Sequence, residues 1–155
     1  MSGFSGTANL MTELARQTQK LSWTGDTNEK VLLSVTIPPL GANSYLDITS
    51  LFSMTNNANS KTLRVRLGGI GGTVIMSSTA ANLASFTDIH RTIANRNATN
   101  AQICTNAAVT IGGSTGTVAT PAIETNAGTT LVFTVQLTNA SDTASVEYAV
   151  VNLVM

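Results

Sequence analysis

From Trp23 onward the apolar side chains recur at every second position, the period of a strand with one buried face. Val31, Leu33, Val35 and Ile37 alternate with Leu32, Ser34 and Thr36, and Pro38-Pro39 ends the run. Leu46, Ile48, Ser50, Phe52 and Met54 form a second set, and Leu63, Val65 and Leu67 a third. A glycine run over 68–72 leads into a short strand, Thr73 to Met76. Ser77 to Ala84 is small and polar and reads as a loop or one turn of helix. Ile89, Arg91 and Ile93 alternate with Asp88, His90 and Thr92, and a short strand covers Gln102 to Cys104. Asn106 to Thr120 reads as a long loop with an edge strand near Val109 to Ile111. Leu131, Phe133, Val135 and Leu137 alternate cleanly, and a last run starts at Val146 and continues to Met155. About eight or nine strands separated by Gly, Asn, Ser and Asp turns predict an all-β antiparallel sandwich or barrel, with the double-sheet jelly roll as the favoured form. No strand–helix–strand rhythm appears, which excludes a parallel α/β fold.

The first 22 residues differ. Thr7 to Lys20 is the segment with helical spacing, with Leu10, Leu14 and Leu21 near i, i+4 and i+11 and Thr7 or Asn9 as its cap. The pattern therefore predicts a short N-terminal arm or helix over 1–22 and a sandwich domain over 23–155. The stripe is narrow, and a short helix alone rarely persists in water. The arm is thus either a frayed terminus or a segment that orders against a neighbouring subunit, with Leu10 and Leu14 as its candidate interface residues.

Composition changes the picture from fold to surface. Thr occurs 25 times, Ser 14 and Asn 14 in 155 residues, while only 10% are charged. The net charge is +0, with eight cations against eight carboxylates, and the mean hydropathy is +0.19. Such a chain is too apolar for disorder. It also lacks the basic excess that binding to phosphate backbones requires, so no nucleic-acid partner is expected. A polar but nearly uncharged surface has poor colloidal solubility unless neighbours cover it. That points to a subunit of an assembly. No basic and apolar leader run opens at Met1 to Gly6, and no apolar run approaches membrane-spanning length, so no membrane partner is expected. Asn97-Ala98-Thr99 and Asn139-Ala140-Ser141 match the glycosylation acceptor pattern but read as plain turns.

Candidate chemistry is sparse. Leu67-Gly68-Gly69-Ile70-Gly71-Gly72 lacks the following helix and the Gly-Lys-Ser/Thr ending of a phosphate loop, and reads as a hairpin turn. Asp88 and His90 share one strand face, but nothing resembles a nucleophile elbow. A surface histidine bonded to a carboxylate is the expectation. Cys104 reads as a small buried hydrophobe. One cysteine and one histidine leave no pattern for a metal site, and no cofactor is expected. Without an acid–base cluster the chain is not expected to be an enzyme. Lys61, Arg64 and Arg66 make a local basic strip in which Arg64 and Arg66 face the same way, opposite Leu63, Val65 and Leu67. Arg is enriched at interfaces, so Arg64 and Arg66 are candidate interface residues, pairing with Asp47 or Glu147 of a neighbour.

Several segments resemble small virion proteins of tailed bacteriophages. They are Leu21 to Thr27 leading into Val31 to Pro39, the run Leu51 to Gly69, Ile93 to Gln102, and the ending from Leu137 to Thr143 with its hydrophobic last strand. The most specific stretch is Asn59-Ser60-Lys61-Thr62-Leu63-Arg64-Val65-Arg66-Leu67-Gly68-Gly69. The chain is similar to trimeric β-sandwich cement (decoration) proteins of short-tailed phage capsids, which are related to distal domains of tailspikes and fibres. Where that family has a Gly-Ser turn after Asn95-Arg96, this chain has Asn97-Ala98. The resemblance implies a jelly roll, a homotrimer and a structural role on the outer capsid surface, with the major capsid protein as partner. In that setting the arm is the capsid anchor, and deleting residues 1–20 leaves a folded trimer that no longer binds shells. The alternative function is the receptor- or glycan-binding tip of a tail fibre or spike. The few aromatics, several of them on core-facing positions, weigh against it.

Overall fold

In a computed structural model, residues 10–80, 85–105 and 118–155 are described, and the statements below concern these. Ten strands form: β1 (Met11–Gln17), β2 (Leu21–Trp23), β3 (Lys30–Ile37), β4 (Tyr45–Met54), β5 (Lys61–Leu67), β6 (Thr73–Ala80), β7 (Phe86–Asn95), β8 (Gln102–Cys104), β9 (Thr129–Leu137) and β10 (Ala144–Val154). One sheet has the order β1-β10-β4-β7-β8, with β2 pairing further along β10. The other has the order β3-β9-β5-β6, and every pairing is antiparallel. The chain passes repeatedly from one sheet to the other, so strands distant in sequence become neighbours. This is the interleaved order of a jelly roll, and the expected fold class is the observed one.

The two-residue rhythm decides which side chains meet between the sheets. Leu46, Ile48 and Phe52 of β4, Ile89 and Ile93 of β7, and Val151 and Leu153 of β10 face Leu63, Val65, Leu131, Phe133 and Val135 of the second sheet, all buried. Phe52 and Phe133 meet at the centre with ring centroids 6.4 Å apart. The hairpin from β5 to β6 is the glycine run. Gly68 and Gly69 take positive φ (100° and 76°). At Gly72 an added Cβ would fall 2.2 Å from the Leu67 carbonyl oxygen, so only glycine closes the turn. Asn97 turns β7 towards β8 with a φ of 56°, a left-handed conformation that Asn tolerates better than most residues.

Two expectations are corrected. The helical reading of the N-terminal arm fails over Met11–Gln17, which is a strand running antiparallel to β10 from Met11↔Val154 to Gln17↔Ala149. The backbone of β10 needs partners on both sides, and that demand outweighs a weak helical stripe. A register irregularity between Glu13 and Ala15 lets both Leu14 and Ala15 pack against the core. Ser77 to Ala80 is not loop or helix but the second half of β6, held in register with Lys61 to Arg64. Its Ser and Thr side chains lie on the pleated surface, where β-branched Thr is at ease. Residues 81–84 and the edge strand expected near Val109 to Ile111 lie outside the described residues.

Candidate interaction surfaces

Arg64 and Arg66 do face the same way, on the outer side of the four-stranded sheet, with Leu63, Val65 and Leu67 inside. Their ionic partner is Glu29 of the same chain, from the turn before β3. Arg66 grips it with two parallel bonds, Nε to Oε1 at 2.8 Å and Nη2 to Oε2 at 2.9 Å, and donates from Nη1 to the Gly72 carbonyl at 3.1 Å. Arg64 Nη1 lies 3.1 Å from Glu29 Oε2 and donates to Gln136 Oε1 at 3.0 Å. The Thr134 hydroxyl donates to Glu29 Oε1 at 2.5 Å. Val132 and Thr134 point outward from β9, yet these three charged side chains leave them 3% and 0% exposed. The cluster is therefore a lid over the sheet.

The neighbours expected to pair with the arginines are engaged elsewhere in this chain. Asp47 accepts from His90 at 2.6 Å, and Glu147 takes Lys20 at 2.9 Å and the Ser53 hydroxyl. His90 and Asp88 share the outer face of β7 as expected. The carboxylate that meets His90 comes from β4 rather than from Asp88.

Burial pushes the Glu29 carboxyl up, but bonds from Arg66 and Thr134 and the charges of both arginines outweigh it. The group lies below the ordinary carboxylate range. A carboxyl held low in the folded state stabilises the fold above its unfolded pKa of about 4.3, and that contribution is lost as pH falls through the folded value. Glu29→Gln is expected to cost about 1–2 kcal/mol at neutral pH. Thermal melts should show the variant less sensitive than the wild type to acidification below about pH 4. Equal acid sensitivity would deny Glu29 this role.

Lys61 leaves the expected basic strip altogether. It shares parity with Leu63, points inward and is 1% exposed. Its Nζ lies 3.2 Å from Asp142 Oδ2 and bonds Asn57 Oδ1 and the Asn59 carbonyl. Asn57 and Asn59 also donate to the two oxygens of Asp142, at 2.7 and 3.0 Å. The turn from β4 to β5 is thereby locked to the turn from β9 to β10. Arg91 is likewise inward on β7, and burial pulls its guanidinium down, with Cys104 opposing. Cys104 is buried as expected, and burial pushes its thiol up.

The two candidate leucines part company. Leu14 is half-buried against the core, so it serves the fold. Leu10 is 61% exposed beside Met11 and Met155, and its carbonyl accepts from the Met155 amide at 3.2 Å.

A second feature had no strong sequence signal. An amide cluster joins β7, β8 and the segment 118–126. Gln102 donates to Asn95 Oδ1 at 2.8 Å and to the Ile123 carbonyl at 2.9 Å, and accepts from the Ile123 amide at 2.7 Å. Beside it opens a cleft of about 310 Å³ lined by Arg96, Asn100, Ala101, Gln102, Thr120, Pro121 and Ala122. No aromatic ring lines it, so it offers no stacking platform for a sugar. Among the described residues no group of three His, Cys, Asp or Glu side chains is placed to hold a metal. No helix among them is long and apolar enough to cross a membrane.

The fold and its surfaces define a jelly-roll β-sandwich. No family model matches the chain, and no curated protein sequence does. Among solved structures it is similar to a chain of the infectious bursal disease virus Gx strain, at 11% identity and a TM-score of 0.44, covering 95% of this chain and 31% of that one. It is also similar to the VP2 subviral particle of infectious bursal disease virus (12% identity, TM-score 0.44, 96% and 33% coverage). A third similarity is to a structure described as "CBM4 structure and function" (11% identity, TM-score 0.33, 83% and 89% coverage). The chain spans about a third of the length of those viral chains. The jelly-roll assignment rests on the strand order itself.

Proposed function

We propose that this protein is a structural component of a tailed-phage virion. In this reading it decorates the outer capsid surface as a homotrimer and cements the major capsid protein, with no catalytic role and no nucleic-acid or membrane partner. The observation that carries the reading is the corner where β1 begins. Of the seven large apolar side chains exposed among the described residues, Leu10, Met11 and Met155 gather there. Only 10% of the chain's residues are charged. A cement protein needs such a contact and no chemistry. It binds the assembled shell and not its separated parts, and mass action then stabilises the shell.

The test combines purified protein with particles lacking it. Wild type is expected to sediment as a trimer and to saturate the particles. Leu10→Ser with Met11→Ser is expected to fold but to lose most bound copies. Full occupancy by that variant rejects the anchor, and failure of wild type to bind rejects the cement role.

A further inference from the structure

Most charges of this chain are satisfied within it. Glu13 takes Arg16, Glu147 takes Lys20, Asp26 takes Lys30, Asp142 takes Lys61, Glu29 takes Arg64 and Arg66, and Asp47 takes His90. Glu124 accepts from Thr99. Among the described residues two exposed ions have no side-chain partner: Asp88 near the start of β7, and Arg96 just past its end.

Each stands beside a complementary shape. Arg96 rims the 310 Å³ cleft, which has Ala101, Pro121 and Ala122 as its apolar lining and Asn100 and Thr120 as its polar one. Asp88 stands two residues after Phe86, which at 67% is the most exposed large apolar side chain among the described residues. Positions i and i+2 of a strand project on one face, about 7 Å apart, so Phe86 and Asp88 present a ring and a carboxylate together. The ring cannot fill the cleft of its own chain. From position 88 to position 96 is about 27 Å of extended strand. A cavity of about 150 Å³ already accepts a benzene ring, so the cleft has room for a phenyl group and its approach.

We infer that the cleft beside Arg96 receives Phe86 from a second copy of this chain, with Asp88 of that copy pairing with Arg96. The plug lies at one end of β7 and the socket at the other, so in the homotrimer proposed above each copy gives its plug to the next, a head-to-tail contact that closes into a ring by rotation. The ring supplies a desolvated anchor of the kind that dominates interfaces, and the ion pair sets its orientation. This inference rests on the self-assembling reading above and says which surfaces perform it.

The experiment uses the full chain and measures mass against concentration by sedimentation and light scattering. Phe86→Ala, Asp88→Arg and Arg96→Glu are each expected to weaken association by about tenfold or more while melting like wild type. Combining Asp88→Arg with Arg96→Glu is expected to restore association to within about threefold, because the swapped charges again attract. If either charge reversal alone fails to fold, Asp88→Asn and Arg96→Gln are read in the same way. Single variants that assemble like wild type overturn the inference and leave the homotrimer standing. A double variant no better than the singles overturns the pairing. A wild-type chain that stays monomeric overturns both the inference and the trimer.

Discussion

A chain truncated before Leu21 is expected to lose its cooperative fold and to aggregate, whereas one truncated before Leu10 is expected to keep a cooperative melt. The first cut removes β1, which pairs with β10 at six registered positions. It also strips Leu14 and Ala15 from the core margin. At about 1 kcal/mol net per hydrogen bond, with the lost apolar cover added, the cost is roughly 5 kcal/mol or more. Domains of this kind have about 5–15 kcal/mol in total. The segment laid bare, Ala149-Val150-Val151-Asn152-Leu153-Val154, is uncharged, rich in β-formers and free of proline. Such an edge invites pairing between chains. The intact protein presents β1 there instead, with Glu13 and Arg16 along it and an irregular register. Soluble yield and a thermal scan of the two truncations check the expectation. A well-folded, soluble chain lacking residues 1–20 would show that β1 is dispensable. The consequence for function is direct: loss of shell binding after deletion of residues 1–20 would report unfolding as readily as a missing anchor.

Local alternation was legible because burial on one face leaves a mark at every second residue. The inward sides of β4, β5, β7 and β9 are those that the pattern predicts. Strand order was not, since β10 comes to lie between β1 and β4 through contacts that leave no local trace. The N-terminal strand is not legible, because three leucines at helical spacing are a weak signal and the stronger one, the open edge of β10, lies more than a hundred residues away. The shared face of Arg64 and Arg66 is legible from their spacing, but their partner is not. Glu29 stands 37 positions before Arg66, and only the side-by-side pairing of β3 with β9 and of β9 with β5 brings it to them. The place of Lys61 is legible: its parity with Leu63 and Val65 sets it inside, where Asn57 and Asn59 from the turn before it and Asp142 from the turn after β9 supply its ligands. The cleft beside Arg96 has no such mark, because it forms where the turn from β7 to β8 meets a loop some twenty residues further on.

Lys61→Met is expected to destabilise the protein by about 3 kcal/mol or more, the range for removing one partner of a buried ion pair. Methionine keeps the length and apolar stem of the lysine, so packing changes little. What changes is the charge, together with the bonds from Nζ to Asn57 and Asn59. Asp142, with a side chain only 5% exposed, keeps the amides of Asn57 and Asn59 but loses its counter-ion. For a chain of this size the melting temperature should fall by about 6–12 °C. Asn for Asp142 in the same chain should recover part of the loss, because the stranded charge is then gone. The pH dependence separates this account from simple misfit. Burial pushes the Asp142 carboxyl up, but the bonds from Asn57, Asn59 and Lys61 outweigh it and hold the group below the ordinary range. Its contribution is present above the unfolded pKa of about 3.9 and is lost as pH falls through the folded value. The gap between wild type and Lys61→Met should therefore narrow as pH drops below about 4. A gap that stayed constant across that range would mean that methionine merely fits badly, and that the pair between the two turns is not what holds that end of the sandwich together.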